Sequence, residues 1–258
     1  MIMEKIELTN RLRKLVASLD GAKERREEGL FVAEGTKCVL DTLRHFKCRY
    51  LFATKDWQLR NASEIKGFDV IDATRADMER MSHLSTAPQV LAVYEIPQYE
   101  MSKREFEENL TLLLDKIQDP GNLGTIIRVA DWFGIRQIVC SPDTVDVFNP
   151  KVVQSTMGAI SRVKVIYADL VELLDAERGV PCYGTFLDGD NMYDSELYGF
   201  GFIVMGNEGQ GISPHVGKYV DRRIRIPSYP AGVPTSESLN VGMATAITVG
   251  EFRRRAYK

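Results

Sequence analysis

The stretch "LTLLLDKIQDPGNLGTIIRVADWFGIRQIVCS", Leu110 to Ser141, changes its apolar period twice. Its first and last runs are apolar without alternation. Between them Ile126, Ile127, Ala130, Phe133 and Gly134 fall on one face at helical spacing. Strand, helix, strand in that order, with near-continuous apolar strands, is the pattern of a parallel crossover covered on both faces. Pro120-Gly121 predicts a turn after the first strand, and Asn122 or Gly124 the start of the helix.

The same texture continues downstream. "RVKVIY", "CYGTFL", "FGFIVM" and "RRIRIP" recur at intervals filled by helix-like segments, which predicts an α/β domain with a mainly parallel sheet from about residue 110 to the end. Upstream, residues 29–97 read as a small α/β unit: strand "LFVAEG", helix "TKCVLDTLRHF", strands "RYLFA" and "QVLAVYEI", with a helix expected from Thr74 to Met81. Between the two textures "QYEMSKREFEEN" loses β pattern and gains charge, as a linker or connecting helix does. The expected organisation is an N-terminal domain over 1–100, a linker over 101–109 and a second domain over 110–258.

Composition excludes several classes. A chain of 258 residues with 44% hydrophobic and 27% charged residues is an ordinary globular chain, and a net charge of -3 predicts no bulk affinity for polyanions. Any nucleic-acid contact therefore falls to local clusters, of which "NRLRKLVASLDGAKERREEG" and "FRRRAYK" are the candidates, the tail the weaker, each also readable as a solvated face. Cys38, Cys48, Cys140 and Cys182 have neither metal-ligand nor redox spacing, so reduced thiols, no metal and a cytoplasmic location are expected. The charged start lacks a signal-peptide apolar region, and no window approaches a membrane span.

In open parallel sheets ligands gather at the carboxyl ends of strands, and three loops there stand out. In "QDPGNLGTIIRVADWFGI", helix-start N–H groups and Arg128 could hold a phosphate, or Arg128 could pair with Asp131 at i,i+3. In "FIVMGNEGQGIS" the glycines permit positive φ and close ligand approach. Glu208 there could bond an amine or hydroxyl, or cap the next helix. In "IPSYPAGVPTSESLNVGMATAI", Ile226 to Ile247, a Pro/Gly loop leads to polar residues ahead of an apolar helix that is expected to be buried. Ser238 reads there as an N-cap and Asn240 as a first-turn residue, or both as site residues that need partners.

Taken in this order, the three loops resemble the signature motifs of the SpoU/TrmH family of RNA ribose 2′-O-methyltransferases in the SPOUT superfamily, over Leu110 to the end. "GLFVAEGTKCVLDTL" and "PQVLAVYEIP" resemble the family's L30e/L7Ae-like substrate-binding domain. The resemblance implies a trefoil knot at the carboxyl end, S-adenosyl-L-methionine as cofactor, structured RNA as substrate with ribosomal RNA favoured over tRNA, and a homodimer whose site is completed across the interface. It further implies that Arg128, Asn122, Glu208, Ser238 and Asn240 are catalytic. Thr185, Gly206, Ile226 and Leu239 would line the methyl-donor pocket, with Asn207 and Gly209 beside them. Two departures are visible. Ten residues separate Pro227 from Ser238 where about six are usual, and Gly242 stands where serine is common. The rivals are a catalytically silent RNA-binding or ribosome-assembly protein on the same fold, another nucleotide-cofactor α/β enzyme, and a base-nitrogen methylating relative.

Overall fold

The structure is a computed structural model that describes residues 7–230, 232–233 and 236–256. In chain order the elements are α1 (Asn10–Ser18), α2 (Ala22–Glu28), β1 (Leu30–Glu34), α3 (Thr36–Thr42), β2 (Cys48–Ala53), α4 (Lys55–Arg60), β3 (Val70–Asp72), α5 (Arg75–Met81), β4 (Val90–Glu95), α6 (Lys103–Glu108), β5 (Leu110–Leu114) and α7 (Pro120–Trp132). They continue with β6 (Gln137–Cys140), α8 (Pro150–Thr156), β7 (Lys164–Tyr167), α9 (Leu170–Ala176), β8 (Cys182–Asn191), β9 (Gly201–Met205), α10 (Pro214–Gly217), β10 (Arg222–Arg225) and α11 (Val241–Ala256). They form two compact units, residues up to 98 with 146–161, and residues 99–145 with those from 162 on. A segment well past the linker in sequence thus packs with the first unit.

The first unit is a four-stranded sheet in the order β1-β4-β2-β3, antiparallel except for β2 against β3. Successive residues of β1 point to opposite faces. Leu30 and Val32 join Leu12, Val16 and Leu19 from the α1 region and Met78 and Met81 of α5 in one core. Phe31 packs on the other face against Phe46, Tyr94 and Phe148. With both faces covered, all five residues of β1 are buried. Arg25 of α2 is itself buried. It donates to Asp146 at 2.6 Å and to the Leu19 and Asp20 carbonyls, so the later segment is tied into this unit by a paired charge.

The second unit is a six-stranded sheet, β10-β8-β9-β5-β6-β7, parallel throughout. All six predicted apolar runs are strands, and β5, β6 and β9 are buried along their whole length, as strands covered on both faces must be. The first crossover helix starts earlier than the sequence suggests. Asp119 caps α7 by accepting the Asn122 N–H at 2.8 Å, and Pro120, whose missing N–H costs nothing there, occupies the first helical position. No helix of the described residues is long and apolar enough to cross a membrane.

Candidate active site

The loops that leave the carboxyl ends of β5 and β9 and the segment after β10 lie together in the second unit. Residues of the last two, with β8, line a cavity of about 520 Å³. Its wall contains Thr185, Gly206, Asn207, Gly209, Ile226 and Leu239, every residue expected at the donor pocket, together with Glu208 and Ser238. Sequence reading missed others, among them Phe186, Leu187, Met205, Ile212 and Arg225. Phe186 and Leu187 sit two and three residues from the segment's buried start in β8. Nothing in their spacing marks them as a lining.

The β9 loop is built by its own side chains. Asn207 accepts the N–H groups of Gly209 and Gln210 at 2.9 and 3.0 Å and donates to the Lys116 carbonyl at 2.8 Å. Its backbone pairs both ways with Gly211, which holds a φ of 69° suited to glycine. A Cβ on Gly206 would stand 2.2 Å from the Gly211 carbonyl carbon and the Ile212 nitrogen, so the loop can fold this tightly only with glycine there. Asp115, buried at the end of β5, accepts the Ser213 N–H at 2.7 Å and closes the loop against the next strand.

One hydrogen-bonded relay joins residues from all three loops. Asn240 Nδ2 donates to Asn122 Oδ1 at 2.8 Å, and Asn122 Nδ2 donates to Glu208 Oε1 at 2.9 Å. Asn240 Oδ1 faces the other way and accepts Gly242 N–H at 2.9 Å and Met243 N–H at 3.3 Å. Asn240, and not Ser238, is therefore the cap of α11, and Ser238 is left facing the cavity. Glu208 does not cap the helix after Ser213. The glycine at 242 also has a local cause, since a Cβ there would meet Thr125 Cγ2 at 2.9 Å.

Two expectations are corrected. Asp131 does not pair with Arg128. Its carboxylate accepts Arg162 Nη2 at 2.7 Å and Nε at 2.9 Å, and the exposed Arg128 guanidinium has no hydrogen-bond or ion-pair partner among the described residues. The final helix is not buried all round. Ser238, Leu239 and Asn240 are exposed, as are Met243 at 62% and Ile247 at 37%. The basic clusters are partly spent internally, while Arg11, Lys14 and Arg26 of the first stay exposed. Arg13 pairs with Asp77 at 2.8 Å and Arg25 is buried. Arg253 donates to the Phe133 carbonyl, Arg254 and Arg255 to Glu251, and Arg255 also to the Met192 and Tyr193 carbonyls. Tyr257 and Lys258, and Ala231, Pro234 and Thr235 of the longer loop, lie outside the described residues.

A parallel α/β sheet with a cavity at its carboxyl edge, lined by apolar residues, glycines and a few polar side chains, has the form of a small-ligand-binding α/β protein. The SpoU rRNA Methylase family model matches residues 109–250, and a model of an MRM3-like substrate binding domain matches residues 10–92. The chain belongs to the SpoU rRNA methylase family. It is 31% identical over 236 residues, 90% of this chain and 91% of the relative, to the 23S rRNA (guanosine(2553)-2′-O)-methyltransferase RlmP of Bacillus subtilis. Among solved structures it resembles a protein assigned to the TrmH family of RNA methyltransferases from Porphyromonas gingivalis, with a TM-score of 0.86 and 40% identity over 96% of this chain and 99% of that one. It also resembles an AdoMet-bound rRNA methyltransferase from Sinorhizobium meliloti, with a TM-score of 0.84 and 27% identity over 98% of this chain and 99% of that one.

Proposed function

We propose that the chain transfers a methyl group from S-adenosyl-L-methionine to a ribose 2′-hydroxyl of ribosomal RNA, with tRNA the second substrate class to test. The observation that carries this reading is the Asn240–Asn122–Glu208 relay beside the cavity. It fixes three polar side chains from three separated motifs at a place where a ligand would enter. The cavity fits the donor. Its volume of about 520 Å³ lies inside the roughly 300–1,000 Å³ range of small-ligand sites, and its wall combines apolar side chains with glycine backbone groups.

Thr185, Gly206, Asn207, Gly209, Ile226 and Leu239 would hold the donor. When bound, it supplies an electrophilic methyl group on a sulfonium. The chain's own residues do the rest. A guanidinium is a planar, delocalised cation and a poor base, so Arg128 acts by gripping the phosphate next to the target ribose and lowering the cost of a developing alkoxide. Ser238, or that phosphate, takes the hydroxyl proton onward. Asn122, Glu208 and Asn240 would orient the bound ribose and its phosphate, and positioning of the two reactants supplies much of the rate.

The same reading includes a homodimer. Arg128 and Trp132 lie at i,i+4 on α7, and Met243 and Ile247 at i,i+4 on α11, which packs on α7. Those rows are exposed here, and a second copy would cover them and bring its Arg128 to the site. A trefoil crossing of the segments after β9 and β10, which wall one cavity, and a cytoplasmic location beside the ribosome belong to the proposal too. The deciding experiment maps 2′-O-methyl groups in total RNA with and without the protein. One or a few positions in ribosomal RNA should disappear, and an unchanged map would end the ribose-methylation reading and leave the silent RNA-binding protein and the base-nitrogen methylating relative as the readings to test.

A further inference from the structure

The cavity wall carries charge that the fold does not use. Arg225 stands at the end of β10 and Glu237 just before Ser238, and both line the cavity. Both are exposed, and neither side chain has a hydrogen-bond or ion-pair partner among the described residues. This sets them apart from nearby charges. Arg222 is held by Glu196 at 2.8 Å, Arg223 by Asp188 at 2.5 Å with its guanidinium 3.5 Å over the Phe186 ring, and Glu208 by Asn122 at 2.9 Å. Two opposite charges on one small cavity, paired neither with each other nor with a neighbour, are matched to a ligand that carries both signs.

We propose that Arg225 and Glu237 form a clamp for a zwitterionic amino-acid group, namely the methionine end of the methyl donor. The proposal rests on the donor reading above. A guanidinium presents parallel N–H groups that fit a carboxylate in two bonds, and a carboxylate accepts from an ammonium. The two residues also bracket the segment from Ile226 to Ser236, which contains the stretch longer than the family pattern. Filling the clamp therefore fixes both ends of that segment against the cavity, which gives the extra length a consequence for donor binding.

The test is calorimetric and needs no turnover. S-adenosylhomocysteine carries the amino-acid end, and 5′-methylthioadenosine keeps the nucleoside and thioether without it. Wild-type protein should bind the first more tightly than the second. Arg225→Gln and Glu237→Gln should each weaken S-adenosylhomocysteine by about tenfold or more, as the loss of a charged hydrogen bond does, and leave 5′-methylthioadenosine unchanged. Arg225→Lys should fall between, keeping charge without the fork. Variants that weaken both ligands equally, or neither, would overturn the clamp while leaving the donor pocket standing. Wild-type protein that binds neither ligand would sink the donor reading and the clamp with it.

Discussion

Asn122 is the residue on which the three motifs converge, because its amide accepts from Asn240 through the oxygen and donates to Glu208 through the nitrogen at the same time. Asn122→Asp keeps the shape but replaces the donor by an oxygen facing the Glu208 carboxylate. Two carboxylates that close cannot both ionise freely. Turnover should fall by about 100-fold near neutral pH, in the range of losing one positioned hydrogen-bond donor, and recover in part as pH is lowered and the pair takes up a proton. A flat pH profile would show that the relay is structural only. Arg128 is tested by a conservative change. Since its exposed guanidinium is not engaged by Asp131, Arg128→Lys should leave the melting temperature within about 1 °C, as surface changes without a partner do, and still lower kcat by 10-fold or more, about the worth of a bidentate phosphate contact. Near-full turnover on the correct RNA would end the role of a planar fork.

At the scale of elements, two devices hold loops in place and each predicts a measurement. In the second unit the turn after β9 depends on Gly206. Gly206→Ala forces a Cβ into the backbone of Gly211 and Ile212, and should cost about 1–3 kcal/mol of stability and abolish donor binding by calorimetry. In the first unit the segment after α5 is pinned by His83. Its backbone N–H donates to Glu34 at 2.9 Å, and its ring nitrogens face the Glu34 carboxylate and the Ala17 carbonyl, each at 3.1 Å. Two acceptors are satisfied together only by the doubly protonated ring. Burial alone would lower the pKa of His83, but the Glu34 hydrogen bond, the Ala17 carbonyl and the charges of Glu34 and Asp20 carry it above the ordinary 6.5. A raised folded-state pKa means that this stabilisation is complete below the ordinary value and is lost as pH rises through the raised one. Urea midpoints of wild type and His83→Gln should therefore differ most in mild acid and converge in alkali, and a constant gap would refute the charged clamp. Sequence showed the strands of the parallel sheet well, because strands buried on both faces are unbroken apolar runs. It hid α1, whose Leu12 and Val16 are spaced for a helix inside a segment dominated by its charges. It also misplaced the start of α7, where Asp119-Pro120 is a cap and first turn although Pro120-Gly121 looks like a loop. Three motifs in order were enough to expect the residues that line the cavity and the three that form the relay, whereas Arg128 neither lines the cavity nor joins the relay. Its bonds were not, since Asn240 finds Asn122 across 118 residues and Asp131 finds Arg162 across 31. Such pairings are set by how the sheet stacks the loops and leave no local trace.

For the whole molecule, a net charge of -3 and basic clusters partly consumed by internal carbonyls and carboxylates predict that RNA is gripped at few points, with the exposed Arg128 proposed as one of them. The location of that arginine is the reason the proposal includes a second copy. Trp132 is 85% exposed one turn beyond it, and Met243 and Ile247 line the outer side of the helix that packs on α7. On the proposed dimer a second copy would cover these side chains. Wild type should therefore sediment at twice the chain mass, and Met243→Glu with Ile247→Glu as a monomer that still melts cooperatively. A dimer alone does not show that the site is shared, and mixing inactive variants does. In a dimer of Arg128→Ala with Ser238→Ala, a shared site would combine the intact arginine of one subunit with the intact serine of the other, giving one working site and one doubly damaged site. Random reassociation makes half of the dimers mixed, so the mixture should regain roughly a quarter of wild-type activity under a twofold-symmetric arrangement. If each site drew both residues from its own chain, every site in the mixture would lack one of them, and activity would stay at the level of the separate variants.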